Sequence, residues 1–243
     1  MNDAAIVIGN TDGIGLALTR QLLDRGFEVT GISRRASALV HEAYRHRVMD
    51  VCDPRYSELL RESLPGEQLR LCIYCPGIGE PFSLENMAFD SLTMEVNLVG
   101  LVRTAEVVVP RMVQNGRGAF VGLSSLADLM PSFQVPAYAA SKAGMSYYLQ
   151  GLAAALANKG VAIANVRLGF VDTKMAKSPW KPFMIGAEDA ARRILQQTLG
   201  DRINYRINIP RRAALVFGAI VPILRLTVRL LRTKVSASSV THS

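Results

Sequence analysis

Short apolar blocks alternate with longer stretches of helical periodicity along nearly the whole chain. Blocks of strand length fall at 4–8, 27–32, 46–49, 69–75, 118–123, 161–167 and 203–209. Apolar positions three and four apart predict helices over 13–25, 55–63, 87–114, 137–158 and 187–199. Gly26, Asn115-Gly116 and Lys159-Gly160 stand where three of these helices should stop. Seven strands alternating with helices predict an α/β fold, a doubly wound parallel sheet covered by helices on both faces. No internal repeat and no Pro/Gly/Ser linker divides the pattern, so residues 1–210 read as a single domain.

The first strand leaves through glycines. Ile6, Val7 and Ile8 lead into Gly9-Asn-Thr11-Asp12-Gly13-Ile14-Gly15, and Leu16, Leu18, Leu22 and Leu23 then recur at helical spacing. Glycine costs a helix about 1 kcal/mol against alanine, so three at one helix start imply a close approach by a ligand or by another stretch of backbone. A strand turning through glycines into a helix aims free N–H groups and the positive helix end at one point, which suits a pyrophosphate. In a doubly wound sheet, ligands sit beyond the carboxyl ends of the strands. Past the second strand stand Ser33, Arg34 and Arg35, where a dinucleotide fold that selects NAD places an acid. Neither Asp nor Glu occurs between Glu28 and Glu42. Serine and arginines there suit the 2′-phosphate of NADP.

Composition narrows the class. At 243 residues and 49% hydrophobic, the chain can bury a sizeable core. Three cysteines (Cys52, Cys72, Cys75) make no disulfide framework, and strand-like residues begin at Ala4 with no basic segment before them. A cytoplasmic setting is expected. Cys72 and Cys75 form a C-x-x-C, but on a strand they point to opposite faces, and His41, His46 and His242 have no ligand spacing. No metal is expected.

The densest chemistry lies in the middle of the chain. Tyr138 and Lys142, four apart at a helix start, share a face. Ser125 lies 13 residues before Tyr138, and Asn97 sits within the long helix before the fifth strand. The G-x-x-x-G-x-G turn, Asn97, Ser125 and the Y-x-x-x-K pair, in this order, resemble the short-chain dehydrogenase/reductases over residues 4 to about 209. The resemblance implies a Rossmann-type sheet and hydride transfer between nicotinamide and a carbonyl/alcohol pair. Tyr138 would be the general acid/base, its phenolate favoured by the Lys142 ammonium. Ser125 would hold the carbonyl oxygen, Lys142 would bond the nicotinamide ribose, and Asn97 would position a water in a proton relay. By the same resemblance Asp50 and Val51 meet the adenine, Gly77 lies beside its ribose, and Val171 and Thr173 meet the carboxamide and phosphates. Together with Gly9, Thr11, Asp12, Gly13, Ile14, Gly15, Ser33, Arg34, Arg35, Tyr138 and Lys142 they make up the expected NADP contacts.

There are two departures from the family pattern. Tyr74-Cys75-Pro76-Gly77 replaces Asn-Asn-Ala-Gly, removing an asparagine that braces the sheet. Leu168-Gly169 replaces Pro-Gly, which would loosen the turn near the nicotinamide.

Met175, Trp180, Phe183 and Met184 follow Thr173. They either close over a lipophilic ketone or alcohol or simply pack on their own domain. Charge is concentrated at the end of the chain, where residues 201–243 carry +7 of the total +8. Residues 211–234 read as a helical tail, with 235–243 a flexible C-terminus. The run 213–224 has 12 apolar residues, against the roughly 20 needed to span a bilayer. Arg211 and Arg212 precede it, while Arg225, Arg229, Arg232 and Lys234 follow. This suits an anionic membrane surface or a neighbouring subunit of a homo-oligomer. Nucleic acid is not expected, since the basic residues accompany aliphatic side chains and not aromatic ones. A dinucleotide-binding sensor or scaffold without turnover is the alternative to an enzyme, and a sugar epimerase or dehydratase is disfavoured because no second substrate domain is present.

Overall fold

The structure is a computed structural model describing residues 3–175, 181–200, 203–216 and 219. Trp180, the arginines from Arg225 onward, Lys234, His242 and the 235–243 terminus lie outside the described residues.

The strands are β1 (Ala4–Ile8), β2 (Glu28–Ser33), β3 (Tyr44–Val48), β4 (Leu69–Tyr74), β5 (Gly118–Ser125), β6 (Val161–Leu168), β7 (Val171–Asp172), β8 (Ile185–Gly186) and β9 (Arg206–Ile209). The helices are α1 (Gly13–Leu23), α2 (Tyr56–Glu62), α3 (Ala88–Met94), α4 (Gly100–Gln114), α5 (Pro136–Ala155) and α6 (Ala187–Thr198). Seven strands form one parallel sheet in the order β3-β2-β1-β4-β5-β6-β9, while β7 and β8 pair separately. This is the doubly wound Rossmann-type arrangement.

Successive residues of one strand feed opposite sides. Ala5 and Val7 of β1 pack with α1 and α6, whereas Ile6 and Ile8 pack with α2, α4 and α5. A strand buried on both faces must be apolar throughout, as β1 is, and that makes it legible as a block. The edge strand β3 reads Tyr-Arg-His-Arg-Val, with Arg45 and Arg47 exposed. Its observed start at Tyr44 precedes the predicted one because charge, not apolarity, marks it. Gly26 and Gly116 adopt positive φ (79° and 66°) just past helices α1 and α4, whereas α5 stops at Ala155, short of Gly160 (φ 71°).

Three local differences from expectation bear on the site. Ser125 does not follow β5 but is its last residue. The segment expected as one helix over 87–114 contains a π turn at Glu95–Val99 between α3 and α4, with Asn97 inside it. The Leu168-Gly169 turn is not loose, because the Gly169 N–H donates to the Ile209 carbonyl at 2.8 Å and ties it to β9. Past β9, residues 211–216 are helical, and Ala213 is fully buried against Gly169 and Pro210.

Candidate active site

The chain order turns back between β1 and β4, and the crevice beyond their carboxyl ends is where both glycine motifs fall. The three glycines of the first turn are each demanded by the chain itself. Gly9 (φ 77°) packs on Pro76, a Cβ on Gly13 (φ 48°) would lie 3.0 Å from Thr173 Cγ2, and one on Gly15 would lie 2.1 Å from the Gly9 carbonyl oxygen. Asp12 caps α1, its Oδ1 accepting from the Gly13 N–H at 2.8 Å. Lys174 Nζ donates to Asp12 Oδ2 at 2.6 Å, and Arg35 stands 3.8 Å from the same atom. The lysine bond, followed by the Gly13 N–H, holds the Asp12 carboxyl below its ordinary range.

Behind Arg35 lies a polar cluster that sequence reasoning missed. Its carbonyl accepts from Ser33 Oγ and meets His46 Nε2, each at 2.9 Å. Tyr44 Oη lies 3.1 Å from His46 Nδ1 and accepts from fully buried Asn10 Nδ2 at 2.5 Å. Residues from the glycine turn, β3 and the end of β2 thus hold the Arg35 backbone in place. Arg34 is exposed, Ile14 packs partly against the α1–α6 core, and Thr11 is half-buried. Asp50 caps its own turn through the Cys52 N–H at 2.9 Å, while the buried Val51 abuts Gly100. Val171 is buried in β7.

The second half of the site is built on the ends of β5 and α5. Ser125 Oγ accepts from the Ala127 N–H at 3.1 Å as a cap, which leaves its hydroxyl proton to donate onward, and it hydrogen-bonds Tyr138. Pro136 opens α5 with its φ already set, placing Tyr138 in the first turn. Lys142, 3% exposed, donates to the Leu123 carbonyl at 2.8 Å and lies 5.9 Å from the Tyr138 ring centroid. Loss of solvent pulls its pKa down to about 8. Burial also raises the Tyr138 phenol, with the Ser125 bond working the other way. Desolvation, more than the ammonium, therefore sets the phenol's protonation here.

Asn97 is fully buried and closes a ring with Ile78: the Ile78 N–H donates to Oδ1 and Nδ2 donates to the Ile78 carbonyl, each at 2.8 Å. Nδ2 also donates to Ser141 Oγ at 2.9 Å, and that hydroxyl donates to the Tyr138 carbonyl at 2.8 Å. A Cβ on Gly77 would lie 3.4 Å from Lys142 Nζ and 3.8 Å from Asn97 Oδ1. Gly79, which the sequence reading passed over, packs on Tyr138, where a Cβ would stand 2.8 Å from the ring. The available signal was its position two residues past Gly77.

Beneath this face runs a buried polar network. Ser124 Oγ lies 3.0 Å from Ser146 Oγ, which donates to Asp128 Oδ2 at 2.5 Å and accepts from Asn165 Nδ2 at 2.9 Å. Arg167 Nε donates to Asp128 Oδ1 at 2.9 Å, with its guanidinium on the same atom. Cys72 and Cys75 face opposite cores, and among the described residues no group of three His, Cys, Asp or Glu is placed to hold a metal ion. No helix of the described residues is long and apolar enough to cross a membrane. Phe82, Leu84, Phe133, Met175, Phe183 and Met184 leave apolar surface exposed, and the Phe82 N–H donates to the Gln134 carbonyl at 2.8 Å, joining the loops after β4 and β5.

Sheet order, glycine turn and the Ser125–Tyr138–Lys142 arrangement define one class, and comparison with known proteins agrees. A family model described as short chain dehydrogenase matches residues 3–182. The chain belongs to that family. The very-long-chain 3-oxoacyl-CoA reductase of Anas platyrhynchos is 28% identical over 190 residues, covering 71% of this chain and 61% of that protein. The inactive hydroxysteroid dehydrogenase-like protein 1 of Homo sapiens is 29% identical over 186 residues, covering 70% and 56%. The chain thus spans about three fifths of these relatives' length. In fold it is similar to a short chain dehydrogenase from Burkholderia cenocepacia J2315 solved in complex with NADP, with a TM-score of 0.82 at 22% identity over 95% of this chain and 98% of that one.

Proposed function

We propose that the chain is an NADP(H)-dependent oxidoreductase that interconverts a carbonyl and an alcohol. The observation that carries this reading is the convergence of Asn97, Ser125, Tyr138 and Lys142, drawn from three separate elements, on one face beside Gly77 and Gly79.

The residues present suit the cofactor. The N-terminus of α1 opens onto the crevice, where Arg35 and Lys174 stand at the Asp12 carboxylate, and the neighbouring Arg34 is exposed. NADP-bound relatives of the same fold support the choice of cofactor. When bound, NADPH supplies the hydride. The protein's part is acid/base and positional. The Ser125 hydroxyl orients the carbonyl oxygen, and Tyr138 Oη delivers the proton to it. Lys142 lies behind the tyrosine to hold the ribose, and Asn97 fixes the Ile78 backbone, where a relaying water would bond. Burial raises the Tyr138 phenol, so it carries its proton at neutral pH and has one to give to a carbonyl oxygen.

The exposed Met175, Phe183 and Met184, with Phe82 and Phe133, suit a lipophilic substrate, as the name of the 3-oxoacyl-CoA reductase relative also suggests. The relative called inactive supports a second reading, a dinucleotide-binding sensor. The retention of all four groups in this chain speaks for turnover. We propose a cytoplasmic homo-oligomer whose basic apolar tail meets either an anionic membrane surface or a neighbouring subunit. A panel of aliphatic ketones, 3-oxoacyl thioesters and alcohols, followed by loss or gain of NADPH absorbance, tests the reading. Turnover of at least one carbonyl is expected, and tight NADPH binding with no turnover across the panel would favour the sensor.

A further inference from the structure

Tyr74 replaces an asparagine of the family pattern, and it is fully buried at the end of β4. Its hydroxyl donates to the Val96 carbonyl at 2.5 Å. Val96 belongs to the π turn, in which the Gly100 N–H reaches back five residues to the Glu95 carbonyl. That N–H would cap the Val96 carbonyl in a regular α-helix, so the turn diverts the carbonyl's usual partner and the tyrosine supplies another. The fit is close from the other side too. A Cβ on Gly100 would stand 2.3 Å from Tyr74 Oη, so the hydroxyl occupies the space that a side chain at position 100 would take.

Asn97 follows Val96 directly. The extra residue in the turn aims its amide at Ile78, where both amide atoms bond one peptide. Ile78 precedes Gly79, which packs on the Tyr138 ring, and Asn97 also reaches Tyr138 through Ser141. A continuous set of contacts therefore runs from the Tyr74 hydroxyl to the backbone and ring of Tyr138. Burial keeps the Tyr74 phenol protonated and so able to donate throughout the working range.

We propose that Tyr74 is a positioning residue, its hydroxyl holding the π turn that sets Asn97, and through Asn97 and Ile78 the geometry of Tyr138. The catalytic part of this proposal rests on the oxidoreductase reading above; the structural part does not. Tyr56 provides the control, since it is equally buried in the same core, and its hydroxyl bonds the Thr104 side chain at 2.8 Å, which in turn donates to the Gly100 carbonyl and not to the Val96 carbonyl that Tyr74 holds.

The test compares Tyr74→Phe and Tyr56→Phe in the full chain by two readouts. One is steady-state reduction of the wild type's best ketone with NADPH. The other is amide hydrogen exchange at Ile78, corrected for each variant's global stability. Tyr74→Phe is expected to lower kcat about tenfold or more with its KM for NADPH little changed, and to speed Ile78 exchange by a similar factor. Tyr56→Phe should lose stability and leave both readouts at wild-type values. Gly100→Ala, which crowds the same hydroxyl, should copy Tyr74→Phe and serves if that variant does not fold. Wild-type Ile78 exchange in Tyr74→Phe, or equal changes in both tyrosine variants, would overturn the proposal. If the wild type reduces nothing, the oxidoreductase reading fails, and Ile78 exchange alone decides whether the tyrosine holds the turn.

Discussion

Lys142 is buried beneath Tyr138 and donates to the Leu123 carbonyl, and the loss of solvent lowers its pKa from 10.5 to about 8. An unfolded chain keeps that proton up to about pH 10.5, so between the two values the unfolded state binds more protons. Stability from this group therefore rises with pH across that window and is lowest below about pH 8. Against a Lys142→Met reference, wild-type stability in urea should climb by something on the order of 3 kcal/mol between pH 8 and 10.5. A flat difference would show that the ammonium is not desolvated. Arg34 and Arg35 offer a second residue-level test. The Arg35 carbonyl is held by Ser33 and His46, while its side chain is 71% exposed and faces the crevice beside Asp12. Arg34→Ala with Arg35→Ala should weaken NADPH binding more than NADH binding by about 1–3 kcal/mol, measured by fluorescence titration. Equal losses for both cofactors would leave the arginines as surface decoration. These positions were legible as candidates because residue type and place in the strand order suffice to single them out. The Asn10–Tyr44–His46 cluster behind Arg35 was not, because it joins three segments that only the folded sheet brings together.

Elements differed in how much of themselves they showed. The strands β1, β4 and β5 are buried on both faces and read as apolar blocks. The strand β3 alternates charge at an edge, and the two-residue β7 and β8 carry no period at all. The π turn was hidden because apolar spacing continues through it, and what marks it, the Val96 carbonyl meeting Tyr74, spans 22 residues. The Asp128–Arg167 pair was equally invisible, yet it ties the turn after Ser125 to β6, and with Ser146 to α5. Both side chains are almost wholly buried, at 4% and 10% exposed. Asp128→Ala should cost about 3–5 kcal/mol by leaving the Arg167 guanidinium uncompensated. Asp128→Leu with Arg167→Met, which removes both charges, should recover most of that loss in a denaturation experiment. Equal damage from single and double variants would mean that packing matters at this junction and charge does not.

At the scale of the whole molecule, the body is nearly neutral and the positive charge sits at the end of the chain. Ala213 packs on the body, so a cut that spares the fold falls after residue 216. Removing 217–243 deletes Arg225, Arg229, Arg232 and Lys234 and leaves every proposed cofactor and substrate contact in place. If the tail meets anionic lipid, the full chain should bind phosphatidylserine vesicles at low salt, release them as salt rises, and lose the binding on truncation with turnover intact. A fall in oligomer mass with no vesicle binding in either form would assign the tail to a subunit contact. In the proposed mechanism, turnover of a carbonyl depends on the phenol of Tyr138, held by Ser125, Gly79 and α5. The decisive measurement pairs NADPH binding with ketone reduction in Tyr138→Phe. Binding near wild type with turnover abolished is the expected result. Turnover that survives largely intact would contradict proton delivery from Tyr138.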